Sequence, residues 1–293
     1  MSQTDSKVIV ITGCSSGIGL ETAVVCAKAG HKVFATMKNL ENRWKLDKRI
    51  EEEKLENIEI MKLDVSDESS RKTTIANIGR RVDNIDVLFN NAGYLVMGSL
   101  EDCTYDEIHE QIETDLVGPI HLTKITLPHM QNNNAEPSLI LNMSSVAGKI
   151  GFGLTTAYCV SKFGIEGFTE SLRRELLTRN VNVALIEAGV VHTEFFEKIK
   201  RTDASKKSNY AKETTMMSDF IECIKTQTKW TTPYQVAEKV LEIIAEQGKN
   251  VRYVIGNDAE FLIGSAYNNK DNHEKMDKTI FEQFEHYKCT NDE

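Results

Sequence analysis

The six cysteines of this chain (Cys14, Cys26, Cys103, Cys159, Cys223, Cys289) form no C-x-x-C pair and no cysteine–histidine cluster at metal-ligand spacing. That excludes a disulfide framework or a zinc site as the basis of the fold, and no metal is expected. The thiols read as free, in a reducing compartment. No apolar run approaches the ~20 residues that a membrane-spanning helix needs. No signal peptide precedes the first strand, which begins by Lys7. The cytoplasm is therefore the expected location. An excess of basic charge is also lacking. Lys and Arg total 35 against 44 Asp and Glu, for a net charge of −9, which argues against a nucleic-acid surface. The run Arg49 to Lys54 mixes both signs and reads as a solvated helix face. No Pro/Ser/Gly linker or internal repeat divides the 293 residues. A prior of roughly 150 residues per domain suggests two domains, but the unbroken pattern predicts one, spanning 1–293.

What the chain does have is alternation. Short runs rich in Val, Ile and Leu predict strands at 7–12, 32–36, 58–63, 86–90, 138–143, 181–187 and 252–255. Helices are predicted at 17–29, 40–55, 67–82, 105–132, 156–179 and 233–247. Apolar strands separated by helices predict an α/β fold. Its core would be a doubly wound, parallel, seven-stranded sheet with helices on both faces. Residues 194–230 break the pattern and carry Phe195, Phe196, Met216, Met217 and Phe220 between polar stretches. Such a segment is expected to be a lid insertion, with a surface helical excursion as the bland alternative. Residues 256–293 form a mostly polar extension with a few aromatics (Phe261, Tyr267, Phe281, Phe284, Tyr287), expected to pack on a neighbouring subunit or to close the pocket.

Two local patterns carry chemistry. Tyr158 and Lys162 are one helical turn apart, so both project from the same face. Ser145 lies thirteen residues upstream of Tyr158, at the end of the apolar run SLILNMSS. An ammonium beside a phenol stabilises the phenolate, so the phenol can exchange a proton near neutral pH. A nearby hydroxyl can hold a carbonyl or alcohol oxygen. The second pattern is a buried strand, a turn with Gly13, Gly17 and Gly19, and then a helix. Its spacing is G-x-x-x-G-x-G. Glycines let a backbone approach a pyrophosphate, and the free N–H groups of a helix N-terminus favour that anion.

Together these pieces resemble the short-chain dehydrogenases/reductases. The resemblance rests on Thr12-Gly-Cys-Ser-Ser-Gly-Ile-Gly19, Asp64-Val65, Asn90-Asn-Ala-Gly93, Ser144-Ser145, Tyr158 to Lys162, and Gly189-Val-Val-His-Thr193. It covers about residues 7 to 195. TGCSSGIGL, VFATMKNL, YCVSKFGIEGF and LIEAGVVHTEF are most similar to the branch of estradiol 17β-dehydrogenase type 1 and photoreceptor retinol dehydrogenase. The resemblance implies a Rossmann-type sheet and a dinucleotide site. Its contacts would come from Gly13, Ser15, Ser16, Gly17, Ile18 and Gly19 in the turn. Asp64 and Val65 would follow the third strand, and Asn91, Ala92 and Gly93 the fourth. Val191 and Thr193 would meet the nicotinamide carboxamide, and Tyr158 and Lys162 would complete the set. The proline expected before Gly189 is Ala188 here, which should loosen that loop. Where users of NAD carry an acid, this chain has Met37, followed by Lys38. Lys38 with Ser15 could hold a 2′-phosphate, so NADP(H) is the expected cofactor.

The resemblance also implies catalysis by Ser145, Tyr158 and Lys162, with Ser144 a bystander. The family's fourth member is an asparagine that holds a relay water, and here that place is taken by Asp115. An ionised carboxylate cannot donate a hydrogen bond, and its charge favours ammonium over phenolate. Leu95, Val96, Met97, Val146, Phe152 and Leu154 are expected to line the substrate pocket with the lid residues. Lys149 is the one candidate for an anionic substrate group. The expected activity is hydride transfer between NADP(H) and an apolar ketone or aldehyde and its alcohol. A non-catalytic NADP(H)-binding regulatory protein is the alternative. A sugar-nucleotide epimerase or dehydratase is weighed against the lack of a sizeable C-terminal domain. A homodimer or homotetramer is expected, paired through the helices at 105–132 and 156–179 with Leu116, Ile120 and Phe168. His192 and the other histidines receive no role.

Overall fold

The computed structural model describes residues 6–268 except 131–135, 203–207 and 227–229, together with 272, 274–278 and 280. Phe281, Phe284, Tyr287 and Cys289 lie outside the described residues. The strands are Val8–Thr12 (β1), Lys32–Met37 (β2), Ile58–Lys62 (β3), Val87–Asn90 (β4), Val96–Met97 (β5), Ser138–Met143 (β6), Val181–Ala188 (β7), Lys200–Arg201 (β8) and Arg252–Ile255 (β9). The helices are Gly17–Lys28 (α1), Trp44–Glu53 (α2), Glu68–Gly79 (α3), Tyr105–Ile112 (α4), Gly118–Thr126 (α5), Thr156–Glu175 (α6), Ala211–Thr226 (α7), Pro233–Ala245 (α8) and Asn257–Asn268 (α9).

Seven strands form one parallel sheet in the order β3-β2-β1-β4-β6-β7-β9. Every pair is parallel, so both faces must be covered. Side chains alternate between the faces. Ile9 and Ile11 join a core with Val24 of α1, Leu46 of α2 and Val240 of α8. Val10, between them, joins the opposite core with Ile75 of α3, Leu122 of α5 and Leu172 of α6. Each such burial is worth roughly 1.5–3 kcal/mol, so a one-residue slip of β1 is strongly opposed. The order of strand addition reverses between β1 and β4. The crevice of a doubly wound sheet opens at such a point, beyond the strands' carboxyl ends.

The predicted helix at 105–132 is broken. Between α4 and α5, Glu113–Val117 forms a π-helical turn, and Leu127–His129 is a 3₁₀ turn. Pro119 has no N–H to donate to Asp115, so the regular ladder fails at that point. Gly118 presses so closely on the Val65 carbonyl that a Cβ would overlap it. The widened turn carries Asp115 into the fold, where it is only 1% exposed.

Two regions have more structure than their composition suggested. Within 194–230, α7 places Ile221 and Ile224 inward at helical spacing. The tail begins with α9, which buries Ala259 and Ile263 while Phe261 and Tyr267 stay exposed. A two-residue sheet of β5 and β8 ties Val96 and Met97 to Lys200 and Arg201. Among the described residues no helix is long and apolar enough to cross a membrane. Among the described residues no group of acidic, cysteine and histidine side chains could hold a metal.

Candidate active site

A cavity of about 920 Å³ runs along the carboxyl ends of the strands. At one end is the turn after β1. Gly13 has φ +77°, and a Cβ there would meet Ala92 at 2.9 Å. A Cβ on Gly19 would sit 2.6 Å from Asn91 Nδ2. The crowding arises because Asn91 holds the turn, donating from Nδ2 to the Thr12 carbonyl at 2.8 Å. Thr12 Oγ1 in turn accepts from the N–H groups of Asn91 and Ala92 at 3.0 and 2.9 Å. Asn91 therefore shapes the turn more than it merely leaves room. Ser16 caps α1 with extended backbone, and its side chain makes no cap hydrogen bond. The first turn of α1 holds no acidic residue, so the helix presents uncompensated N–H groups to the cavity.

Ser15, Ser16, Gly17, Ile18, Lys38, Asp64, Val65, Ala92, Gly93, Val191 and Thr193 all line this cavity, as do Gly13 and Asn91. Gly19 is buried beneath it. The residues present thus fit a dinucleotide: an anion cradle, an adenine end and a passage to Tyr158. At the adenine end, Asp64 accepts from the Ser66 N–H at 2.9 Å and its hydroxyl at 2.6 Å. Its other oxygen pairs with Lys38 at 2.9 Å. Burial opposes ionisation of Asp64, but the bonds from Ser66 and Lys38 prevail and hold it below the usual carboxylate range. Asp67 accepts from the Ser69 N–H and caps α3, leaving Asp64 free of that task.

At the other end the catalytic candidates meet. The Ser145 hydroxyl lies by Tyr158 and favours its phenolate. The Lys162 Nζ lies 5.4 Å from the centre of the Tyr158 ring. It donates to the Met143 carbonyl at 3.1 Å and stands 3.1 Å from Asp115 Oδ2. Asp115 Oδ1 accepts from the Tyr94 N–H at 3.3 Å. Gly93 leaves room for this carboxylate, since a Cβ there would meet Oδ2 at 2.7 Å. Asp115 is thus aimed at the lysine.

The electrostatics follow from this geometry. Burial pushes the Tyr158 phenol above its ordinary value, Lys162 pulls it down and Asp115 raises it again. Burial disfavours the Lys162 ammonium, yet Asp115 and Tyr158 keep it above the usual lysine range. Burial pushes Asp115 up against the pull of Lys162.

Ser144 is engaged away from Tyr158. It donates to Glu166 at 2.6 Å. Glu166 also pairs with Lys149 at 2.8 Å and with Arg252 at 3.1 Å. Glu187 pairs with the same two cations at 3.4 and 3.0 Å. Lys149 is therefore held by two buried carboxylates, Glu166 and Glu187, and is not free to meet an anionic substrate group. Leu95, Val146 and Phe152 line the cavity as expected. Val96 and Met97 do not, because the strand pair with β8 turns them into the protein. Leu154 lies off the wall, and Met217, not Met216, faces the cavity with Phe220. Phe195 stands 6.1 Å from the Tyr158 ring and packs edge-on against Phe196 at 5.5 Å.

Several site residues were not found by sequence reasoning. Gln111 is fully buried, accepts from the Val96 N–H at 2.8 Å and donates to the Tyr94 carbonyl at 2.9 Å, fixing the loop after Gly93. Lys198 donates to Ser16 at 2.9 Å while paired with Glu194 at 3.1 Å, and Glu194 also pairs with Lys45. Trp230, Leu262 and Asp258 line the cavity from late in the chain. Long-range contacts place these groups, and no local pattern announces them.

The family model described as short chain dehydrogenase matches residues 7–204. A probable short-chain type dehydrogenase/reductase of Helicobacter pylori (VdlC) is 32% identical over 254 residues, 87% of this chain and 90% of that protein. Human 17-beta-hydroxysteroid dehydrogenase type 1 is 36% identical over 199 residues, 66% of this chain and 59% of that protein. Human retinol dehydrogenase 8 is 36% identical over 196 residues, 66% of this chain and 61% of that protein. Among solved structures, a short chain dehydrogenase/reductase from Burkholderia phymatum in complex with NAD superposes with a TM-score of 0.79. It is 21% identical and covers 92% of this chain and 96% of that one.

Proposed function

The chain belongs to the short-chain dehydrogenase family, and on that premise we propose that it interconverts an apolar ketone or aldehyde and its alcohol, using NADP(H), with Tyr158 as general acid and base. One observation carries the reading. Ser145, Tyr158 and Lys162 stand together on the wall of the same cavity that holds the glycine turn, with the Lys162 ammonium 5.4 Å from the centre of the Tyr158 ring. The dinucleotide supplies or accepts the hydride. The chain's own residues do the rest. Ser145 holds the substrate oxygen, and its hydroxyl accepts from the Ala147 N–H at 3.2 Å, which orients it. Tyr158 gives a proton to that oxygen during reduction and removes one during oxidation. With its acidity suppressed by burial, Tyr158 is protonated at neutral pH and poised as an acid. Lys162 stabilises the phenolate and would bond the nicotinamide ribose of a bound dinucleotide.

The choice of NADP(H) is supported by Met37 and Lys38 and by the lack of an acid at the end of β2. Lys38 must then share itself between Asp64 and a 2′-phosphate. An apolar substrate is supported by Leu95, Phe152, Phe195, Phe196 and Met217 on the wall. Two relatives carry names that point to a hydroxysteroid and to retinol. The described residues of 194–230 would serve as the lid, with Phe195 6.1 Å from the Tyr158 ring. A cytoplasmic setting fits the five free cysteines among the described residues. A homodimer or homotetramer would pair through α4, α5 and α6. Leu116 is partly spent against Gly164, but Val160 and Phe163 are 51% and 47% exposed on α6. A non-catalytic binder has no support in a site where Ser145, Tyr158 and Lys162 all converge. The test is NADPH oxidation with a panel of apolar ketones and aldehydes. Binding of NADPH without turnover on any of them would refute the proposed activity.

A further inference from the structure

The loop after β7 (residues 189–193) carries Val191 and Thr193, the residues expected to meet the nicotinamide carboxamide. It begins with Ala188-Gly189, so no proline ring stiffens its entry. The loop is nevertheless pinned. Its ends are tied by backbone bonds, from Gly189 N–H to the Ile255 carbonyl and from His192 N–H to the Thr231 carbonyl, both 2.9 Å. Its middle is held by a side chain from the first turn of α9. Asp258 Oδ2 accepts from the Val190 N–H at 2.7 Å.

Two glycines make room for that one carboxylate. A Cβ on Gly189 would overlap the Asp258 carboxyl group. Gly256 has φ +108°, and a Cβ there would lie 2.6 Å from Asp258 Oδ1. An ordinary helix cap requires neither vacancy. Burial pushes the Asp258 carboxyl above the usual carboxylate range, against the pull of the backbone N–H groups of Val190 and of the start of α9. Asp258 reaches the wall of the cavity beside Ala188, Gly189, Val190 and Val191.

We propose that Asp258 is a positioning residue for the nicotinamide half of the cofactor site, fixing through the Val190 N–H the middle of the loop that carries Val191 and Thr193. This gives the C-terminal extension a task in the site, and it rests on the dinucleotide reading above. Once that bond is removed, the middle of the loop is held only through its ends. The cost falls only on ligands that use the loop.

The test compares binding of NADPH with binding of 2′-phospho-ADP-ribose, which lacks the nicotinamide. NADH and ADP-ribose are run in parallel. Asp258→Ala is expected to weaken both dinucleotides about tenfold, while the two ribose phosphates bind as before. Asp258→Asn keeps an acceptor for the Val190 N–H and is expected to recover most of the affinity. The proposal is overturned if Asp258→Ala binds NADPH and NADH like the unaltered protein. It is also overturned if all four ligands weaken equally, as a merely structural cap would dictate, or if Asp258→Asn is no better than Asp258→Ala. Failure of the unaltered protein to bind any of the four would instead refute the dinucleotide reading itself.

Discussion

Replacing Asp115 by asparagine should raise the rate of alcohol oxidation near neutral pH while lowering stability. Asp115 Oδ2 is 3.1 Å from Lys162 Nζ, which is 5.4 Å from the centre of the Tyr158 ring. The carboxylate therefore lies no more than about 8.5 Å from the ring centre and about 11 Å from the phenolate oxygen, so at an effective permittivity of ~20 its repulsion of a phenolate is at least about 1.5 kcal/mol. An energy of that size corresponds to a little over one pKa unit. The sign is clear: Asp115 raises the Tyr158 pKa, so its neutralisation lowers that pKa and makes the tyrosinate available at lower pH. The basic limb of the oxidation profile should move about one unit toward acid, with about a tenfold gain in rate below it. Stability should move the other way. Two donors face Asp115, the Tyr94 N–H and Lys162, and an asparagine has only one oxygen to offer. One lost hydrogen bond costs roughly 1 kcal/mol, a drop of about 1.5 °C in a chain of this size. The assay is the pH dependence of kcat for a secondary alcohol with NADP⁺, beside a thermal melt. An unchanged profile would refute the reasoning, because the carboxylate is aimed at the lysine and cannot be silent if it is ionised.

Tyr158→Phe should lose at least about a hundredfold in turnover, the lower end for a general acid–base group, while NADPH binding, followed by fluorescence, stays within about twofold. Retained activity would remove Tyr158 from the chemistry. The unaltered protein should bind NADPH more tightly than NADH at equal salt. Lys38→Met should weaken NADPH alone by about threefold, since the side chain is 74% exposed and exposed ion pairs are worth at most about 1 kcal/mol. Equal weakening of both dinucleotides would deny Lys38 the 2′-phosphate. Light scattering should show a dimer or tetramer at micromolar concentration, and Phe163→Glu, on the exposed side of α6, should dissociate it. A monomer in the unaltered protein would discard that pairing face.

The central strands were legible because strands buried on both faces must be short and rich in Val, Ile and Leu; the edge strand β3, IEIMK, was legible from its Ile pair although it carries Glu59 and Lys62. The glycine turn and Tyr158–Lys162 were legible because each lies within one local element, where spacing alone fixes geometry. The break in the helix over 105–132 was not. It depends on Pro119 acting together with the approach of Gly118 to Val65, a contact across the fold. Lys149 looked free in the sequence because its partners Glu166 and Glu187 arrive from α6 and β7. Val96 and Met97 looked like pocket wall until the pairing with Lys200 and Arg201 turned them inward. Asp258 shows the limit most plainly. Nothing near it in sequence speaks of Val190, and only the sheet, by setting β9 beside β7, brings the two together. Periodicity and local spacing are written residue by residue and can be read from the chain alone. Which distant charge finds which partner is decided by packing, because only the folded sheet sets those distances.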